Sequence, residues 1–447
     1  MVTYSLQDNA TDSSTRFGRI YPWIIVGLGA LFYCYEYYLR IAPSVMTQDL
    51  MRAFSISSVS LGNLIACYYY AYTPMQLPVG LLLDKYGPRR LLILAVLSCV
   101  VGSYLFVGTS SLAIAELGRF LVGFGSAFAF VGALQLAAIW LPPERFALIS
   151  GSVTTLGMMG AIIGDISLTY LVQQVGWQHT IRYAGGAGVV LIALMILLLR
   201  DKKGGVVETT STITWFEGFR GLRDILFKPG IWINGLIGCL LYTPTSAFAE
   251  LWGIPYLQRA HGLSSAQAAS GVAVLFLGWA IGGPLAGLLS DSLRLRRSIL
   301  PIGGVLASIF VMILLYVPNL SHFAVYTILL FFGMSASVQV IVFAIGKEIS
   351  ARHHAGTALA ITNMIVMLGG AFFQPFIGYL LQISGDAIHW HGVYLYSTSD
   401  YRLALTILPA GLILASILAF LLPETRCQSF EEMVSLEECK PAHQIYR

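Results

Sequence analysis

The chain alternates between long apolar runs and short breaks that carry charge, Pro or Gly. Runs such as Leu91–Val100 and Val305–Val317 are continuous, not alternating. The hydrocarbon core of a bilayer takes about 20 apolar residues per helix. On that measure the pattern predicts twelve membrane-spanning helices: residues 20–42, 59–82, 91–110, 113–139, 147–173, 182–200, 231–258, 267–290, 298–317, 322–346, 355–382 and 402–422. A closed β-barrel is the other spanning solution, but its strands alternate apolar and polar residues, and these runs do not. The predicted class is an all-α integral membrane protein.

Composition sharpens that picture. Of 447 residues, 57% are hydrophobic and 11% charged, against about 25% charged in soluble domains. Mean hydropathy is +0.75. These values exclude a disordered chain and an ordinary soluble enzyme. The net charge of +4 is too small to suggest a nucleic-acid partner. The basic residues read instead as orientation signals: with both termini inside, 20 of the 26 Lys and Arg fall on the inner side. The exceptions are Arg40, Arg52, Arg119, Arg182, Arg259 and Arg402.

The longest inner loop, 201–230, divides the chain into a bundle at 1–200 and a second at 231–422, followed by an inner tail at 423–447. No cleavable leader is visible in the polar first 20 residues. The six Cys show neither metal spacing nor a disulfide framework. His389-Trp-His391 has metal-like spacing but no third ligand nearby and reads as a solvated loop. No metal or cofactor is expected.

The two bundles share a motif. Gly80-Leu-Leu-Leu-Asp84-Lys-Tyr-Gly-Pro-Arg89-Arg90 ends the second span, and Gly287-Leu-Leu-Ser-Asp291-Ser-Leu-Arg-Leu-Arg296-Arg297 ends the eighth. The offset is 207 residues at the first Gly, the Asp and both Arg. Internal repeats of this kind mark transporters that expose one site alternately to either side. The motif, with Gly118-Arg119-Phe-Leu-Val-Gly123-Phe-Gly125 in span four and Pro423-Glu424-Thr425-Arg426 after span twelve, resembles the major facilitator superfamily along the whole chain. That resemblance implies two pseudo-symmetric six-helix bundles. It also implies that Asp84, Arg89, Arg90, Asp291, Arg296 and Arg297 act as a gate between the halves on the inner side. The alternative for these residues is plain inner-side anchoring. The Gly-Pro pair of drug exporters is missing from span five. Gly160-xxx-Gly164, Gly278-xxx-Gly282 and Gly283-xxx-Gly287 predict close helix contacts.

Charge inside a span is costly and is usually paired or functional. Six such residues stand out: Glu36, Arg40, Glu116, Arg119, Asp165 and Glu250. Depth estimates place all six around one cavity at or above the midplane. Arg40 follows Tyr37-Tyr38-Leu39, which resembles the first helix of the organic phosphate and anion:cation symporter branches. There the resemblance implies that the Arg holds an anionic group; a structural pair with Glu36 at i,i+4 is the alternative. The first helix and the Tyr68-Tyr69-Tyr70 run also resemble nutrient importers of intracellular bacteria. Glu250 is placed to take an amine, or to lie on the outer rim. Tyr37, Tyr69, Tyr72 and Tyr242 are the remaining candidate ligands. Glu36, Asp165, Glu116 and Arg119 are the candidates for proton coupling, with Glu116 and Arg119 alternatively a structural i,i+3 pair.

The expected function is secondary active transport of a small carboxylate-bearing solute, whether amino acid, short peptide or organic anion. We expect alternating access and proton-coupled import, by a monomer in the bilayer of a bacterial inner membrane. Export by the same fold and a transporter-like solute receptor are the alternatives. No hydrolase or metalloprotease motif points to an enzyme.

Overall fold

The computed structural model describes residues 16–142, 146–200, 228–351, 355–384, 388–390 and 393–428. Apart from one hairpin, every regular element in them is helical. Ten helical stretches are long and apolar enough to cross a membrane. Their surfaces leave large apolar side chains such as Leu94, Leu197, Leu288, Ile302 and Leu403 exposed, as lipid contact requires.

Ten is fewer than the expected twelve, and two stretches bear on the difference. The stretch Ile149–Leu198 counts once, although Gly176 interrupts it at φ 79°, ψ 163°. The helix Ser58–Met75 is not among the ten, because Ser, Asn and four tyrosines dilute it. The loop expected at His389-Trp-His391 is instead entered by a small antiparallel hairpin, Ile388–Trp390 with Val393–Leu395; His391 lies outside the described residues. So does nearly all of the expected 201–230 loop and most of the 423–447 tail.

Hydroxyl caps set several helix starts. Ser264 and Gln267 form a reciprocal capping box, as do Ser397 and Asp400. Other spans are interrupted midway. The helix Arg16–Ile41 passes through a 3-10 turn, Ala42–Met46, into Thr47–Phe54. Pro229–Thr243 widens into a π-helical segment, Pro244–Trp252, before resuming as Gly253–His261. Pro244 has no N–H to give, so the α ladder cannot run through it, and such widenings recur at functional sites.

Small residues let helices meet along their backbones. A Cβ at Gly160 would fall on the Cys34 backbone, and one at Gly278 on that of Leu330. The third predicted contact is not made: Gly287 faces open space, and Gly283 has only the Val340 side chain near it. The two motif copies also diverge. Gly87 adopts φ 77°, ψ 151°, a region essentially closed to other residues, whereas Arg294 at the same repeat position adopts φ 51°, ψ 39°.

The parts of the chain before and after residue 228 meet along a seam. Ser58–Met75 packs against Ala355–Ile383, and Ser265–Leu293 against Phe146–Leu198. Along the first pair, Ser58 Oγ donates to the Gly378 carbonyl at 2.7 Å and accepts from Tyr396 Oη at 2.7 Å. Further along, Asn363 Nδ2 donates to Gln76 Oε1 at 2.9 Å.

Candidate functional site

The polar heart of the protein forms around Arg40, at the end of the first helix. Arg40 is 2% exposed and Glu36, one turn earlier, is fully buried. Arg40 Nε donates to Glu36 Oε1 at 2.8 Å and to Tyr68 Oη at 3.0 Å, and Nη2 lies 2.5 Å from the same carboxylate. Tyr68 in turn donates to Glu36. The rings of Tyr37, Tyr72 and Tyr68 stand 4.4, 5.1 and 5.3 Å from the guanidinium carbon, within cation–π reach. Arg119 joins from the fourth predicted span, donating to the carbonyls of Leu39 at 3.0 Å and Arg40 at 3.4 Å.

The remaining edge of Arg40 looks across the seam. Its Nη1 reaches Tyr242 Oη at 3.4 Å and Glu250 Oε1 at 3.9 Å. Glu250 also accepts from Tyr69. Arg40's own contacts on the Glu36 side are thus short and its contacts across the seam are long, whereas Tyr69 bonds Glu250 across the seam closely. Glu250 is 1% exposed, so it is a seam residue and not an outer-rim one. It sits on the π-helical segment, whose wider turns present it to Arg40 and Tyr69 together.

Two of the six predicted intramembrane charges do not join this cluster. Glu116 is half-buried, and among the described residues it makes no ion pair with Arg119; the expected i,i+3 pair is replaced by the Arg119 carbonyl contacts. Helical spacing put both on one face without saying how far each reaches inward. Asp165 is fully buried but lies beside Ser44, 3.5 Å from its Oγ, away from any described cation.

The sequence reading missed Tyr68, the tyrosine that touches both Glu36 and Arg40. It also missed Trp279 and Gln339, which the second half contributes as buried polar groups beside Thr245 of the span-seven polar face. Among the described residues Thr245 Oγ1, Trp279 Nε1 and Gln339 Nε2 have no hydrogen-bond partner, and the Trp279 ring meets Tyr242 edge-on at 6.2 Å. A lone Trp or Gln in an apolar run gives no sign of facing inward.

At the arginine-rich end, the predicted gate residues bond within their own halves. Asp84 accepts from Gln135 at 2.8 Å, and Arg89 Nη2 donates to the Ile196 carbonyl at 3.3 Å. Arg90 is exposed. Arg296 Nη1 donates to Asp291 at 2.6 Å, its Nε to Glu348 at 3.0 Å, and its backbone N–H to Glu424 at 2.6 Å. Arg297 Nη1 donates to the Leu422 carbonyl at 3.2 Å. Burial alone would raise the Glu424 carboxyl, but the backbone N–H groups of Arg296, Ser298 and Arg297 outweigh it and hold it below its usual value. Among the described residues no cluster of His, Cys, Asp and Glu could hold a metal ion.

Comparison with known proteins gives this arrangement a context. A protein of Escherichia coli (strain K12) named "Probable galactarate/D-glucarate transporter" is 24% identical over 426 residues, 88% of this chain and 93% of that one. A "Probable sulfoacetate transporter" of Cupriavidus necator is 23% identical over 380 residues, 81% of this chain and 88% of that one. Among solved structures, a bacterial homologue of the human lysosomal transporter Spinster, in an inward-facing and unoccupied conformation, superposes with a TM-score of 0.73 at 18% identity. It covers 91% of this chain and 97% of that one. The profile of the Major Facilitator Superfamily matches residues 26–374 and 252–429. The chain belongs to the Major Facilitator Superfamily.

Proposed function

We propose that this protein is a secondary active transporter that carries a small organic acid into the cell together with protons. The observation that supports it most directly is the unequal dressing of Arg40. Its Glu36 side is bonded tightly, while Nη1 meets the second half only through contacts of 3.4 and 3.9 Å. An anionic oxygen can take that edge by displacing Glu250, and a guanidinium offers it a planar fork. The buried donors Trp279 Nε1 and Gln339 Nε2 supply hydrogen bonds for the rest of a polar solute.

The names of the two relatives favour organic acids, both carboxylate and sulfonate. A zwitterionic solute is the second reading, because Glu250 offers a carboxylate to an amine beside Arg40. Proton coupling enters through charge balance. Glu36 and Glu250 face Arg40 and Arg119, so an arriving anion adds a negative charge that a proton on a buried carboxyl offsets. Glu36 and Asp165 are the proposed carriers.

Our reading of the architecture has twelve spans with both termini inside, obtained by dividing Ile149–Leu198 at Gly176 and adding Ser58–Met75. The arginine-rich end then faces the cytoplasm of a bacterial cell, and the protein works as a monomer in the inner membrane. Asp84, Arg89, Arg90, Asp291, Arg296 and Arg297 would bridge the halves in the opposite conformation and return to their own halves in this one.

The test is thermal denaturation of the purified protein against D-glucarate, galactarate, sulfoacetate, amino acids, dipeptides, neutral sugars and lipophilic cations. A ligand that binds the folded state raises the melting temperature by mass action. We expect an organic acid to stabilise the wild type and not Arg40→Ala. Stabilisation by neutral sugars or cations alone would overturn the assignment.

A further inference from the structure

Asp165 differs from the two buried carboxylates of the Arg40 cluster. Glu36 and Glu250 both face Arg40, but no described Lys, Arg or His nitrogen lies within 4 Å of Asp165, which is fully buried. One of its oxygens, Oδ2, has no hydrogen-bond partner among the described residues. An ionised carboxylate in that position would be uncompensated and is disfavoured relative to its neutral form.

The neighbouring hydroxyls bear on which form is present. Ser44 Oγ lies 2.7 Å from the Ile41 carbonyl and 3.5 Å from Asp165 Oδ1. A serine has one proton to give. Ile41 takes it at the shorter distance, so the contact with Asp165 is satisfied when the carboxyl itself carries a proton and donates it to Ser44 Oγ. Thr169 competes for nothing here, since its hydroxyl donates to the Asp165 backbone carbonyl at 2.6 Å.

Ser44 and Thr169 are also the inner wall of a polar cavity of about 320 Å³. Gln48, Gln173 and Gln258 line it further, with Asp49 as the lining's one ionisable side chain. No basic side chain lines it, so it suits water and cations and not the anionic solute proposed for Arg40. The groups that bear electrostatically on Asp165 are few. Glu250, on the π-helical segment, is the ionised group that bears on it. On the first helix, Tyr38 bonds Ser167, two residues along the same helix, at 3.4 Å. Across the cavity Asp49 pairs with Arg52 at 3.9 Å. Ser265–Leu293, packed on the same helix, brings no ionisable side chain before Asp291.

We propose that Asp165, Ser44 and the adjoining polar cavity form a proton-loading site, separate from the solute cluster and holding its proton in this conformation. This deepens the coupling reading above by giving one of its carriers an entry route. Solvent in the cavity gives a proton to Ser44 Oγ as the hydroxyl's own proton passes to a carboxylate oxygen of Asp165, forming the O–H bond that Ser44 Oγ then accepts. Release breaks that bond and returns the proton to water.

Infrared difference spectroscopy on the purified protein reads this without any solute. The wild type should show the carbonyl-stretch band of a protonated carboxylic acid that Asp165→Asn lacks. The band should shift on transfer to deuterium oxide ahead of the buried amides, and Ser44→Ala should move it by removing the acceptor. Should Asp165→Asn fail to fold, Ser44→Ala still decides. The proposal fails if wild type and both variants share one spectrum, or if the band resists deuterium as long as the buried amides do. It also fails if sodium chloride, but not choline chloride, extinguishes the band, which would make the site a sodium site. None of these outcomes depends on which solute Arg40 binds, so failure here leaves the melting assay to judge that reading separately.

Discussion

The arginine-rich end and the seam between the halves are held together by different chemistry. At the arginine-rich end, charged groups close on their own half. Arg296 gathers Asp291, Glu348 and Glu424 around itself, all from the second half. Along the seam the bonds are mostly neutral: Ser58 to Gly378, Tyr396 to Ser58, and Asn363 to Gln76. The charged exceptions gather at Arg40 and Glu250: Arg40 reaches Tyr242 at 3.4 Å and Glu250 at 3.9 Å, while Tyr69 donates directly to Glu250. Charge-assisted hydrogen bonds are roughly twice as strong as neutral ones. The charged network ties the second half to itself, and on the proposed alternating-access reading the seam is where bonds would break.

Substitutions can break that contrast. The largest effect is expected from Arg296→Ala, which strips charge-assisted partners from Asp291 and Glu348 and should cost about 2–3 kcal/mol. The loss should appear as a lower melting temperature with the seam intact. Equal stability of variant and wild type would show that the network is only surface decoration.

Ser58→Ala removes two seam bonds and should cost about 1–2 kcal/mol of the closed contact. That is roughly a tenfold shift in the balance of conformations. Spin labels on Ser110 and Asn319 should then report longer distances in electron–electron resonance. An unchanged distribution would mean that the seam is held elsewhere.

The smallest effect concerns pH. The Glu424 carboxyl is held below its usual value by backbone N–H groups that outweigh its burial. A depressed carboxyl contributes stability that is present above its unfolded value, about 4.3, and is lost as pH falls through the folded one. Glu424→Gln should therefore flatten the acid limb of the melting curve between those two values, by less than about 1 kcal/mol for a partly exposed group.

Much of the fold was legible in the chain because lipid demands long apolar helices and the breaks between them are charged. The membership of the Arg40 cluster was partly legible for a related reason: an ionisable residue is conspicuous in an apolar run. Glu36, Arg40, Arg119 and Glu250 do meet. Direction was not legible. In the run Tyr68-Tyr69-Tyr70-Ala71-Tyr72, hydroxyls point all around the helix, and only packing puts Tyr68 on Arg40 and leaves Tyr70 44% exposed. Glu116 was assigned inward on spacing alone and is only half-buried. The π-helical turns that carry Glu250 had no expected signature beyond Pro244.

The four-residue spacing of Glu36 and Arg40 also bears on how the chain enters the membrane. A lone charge at the centre of a span costs roughly 2.5–3.5 kcal/mol on insertion scales. These two opposite charges lie one helical turn apart on a single helix, ahead of Tyr68, Tyr242 and Glu250 in the chain. They can neutralise each other as soon as that single helix forms, before Tyr68, Tyr242 or Glu250 exists to help. Replacing either one alone would therefore burden the insertion of this helix, when no later helix is available to compensate.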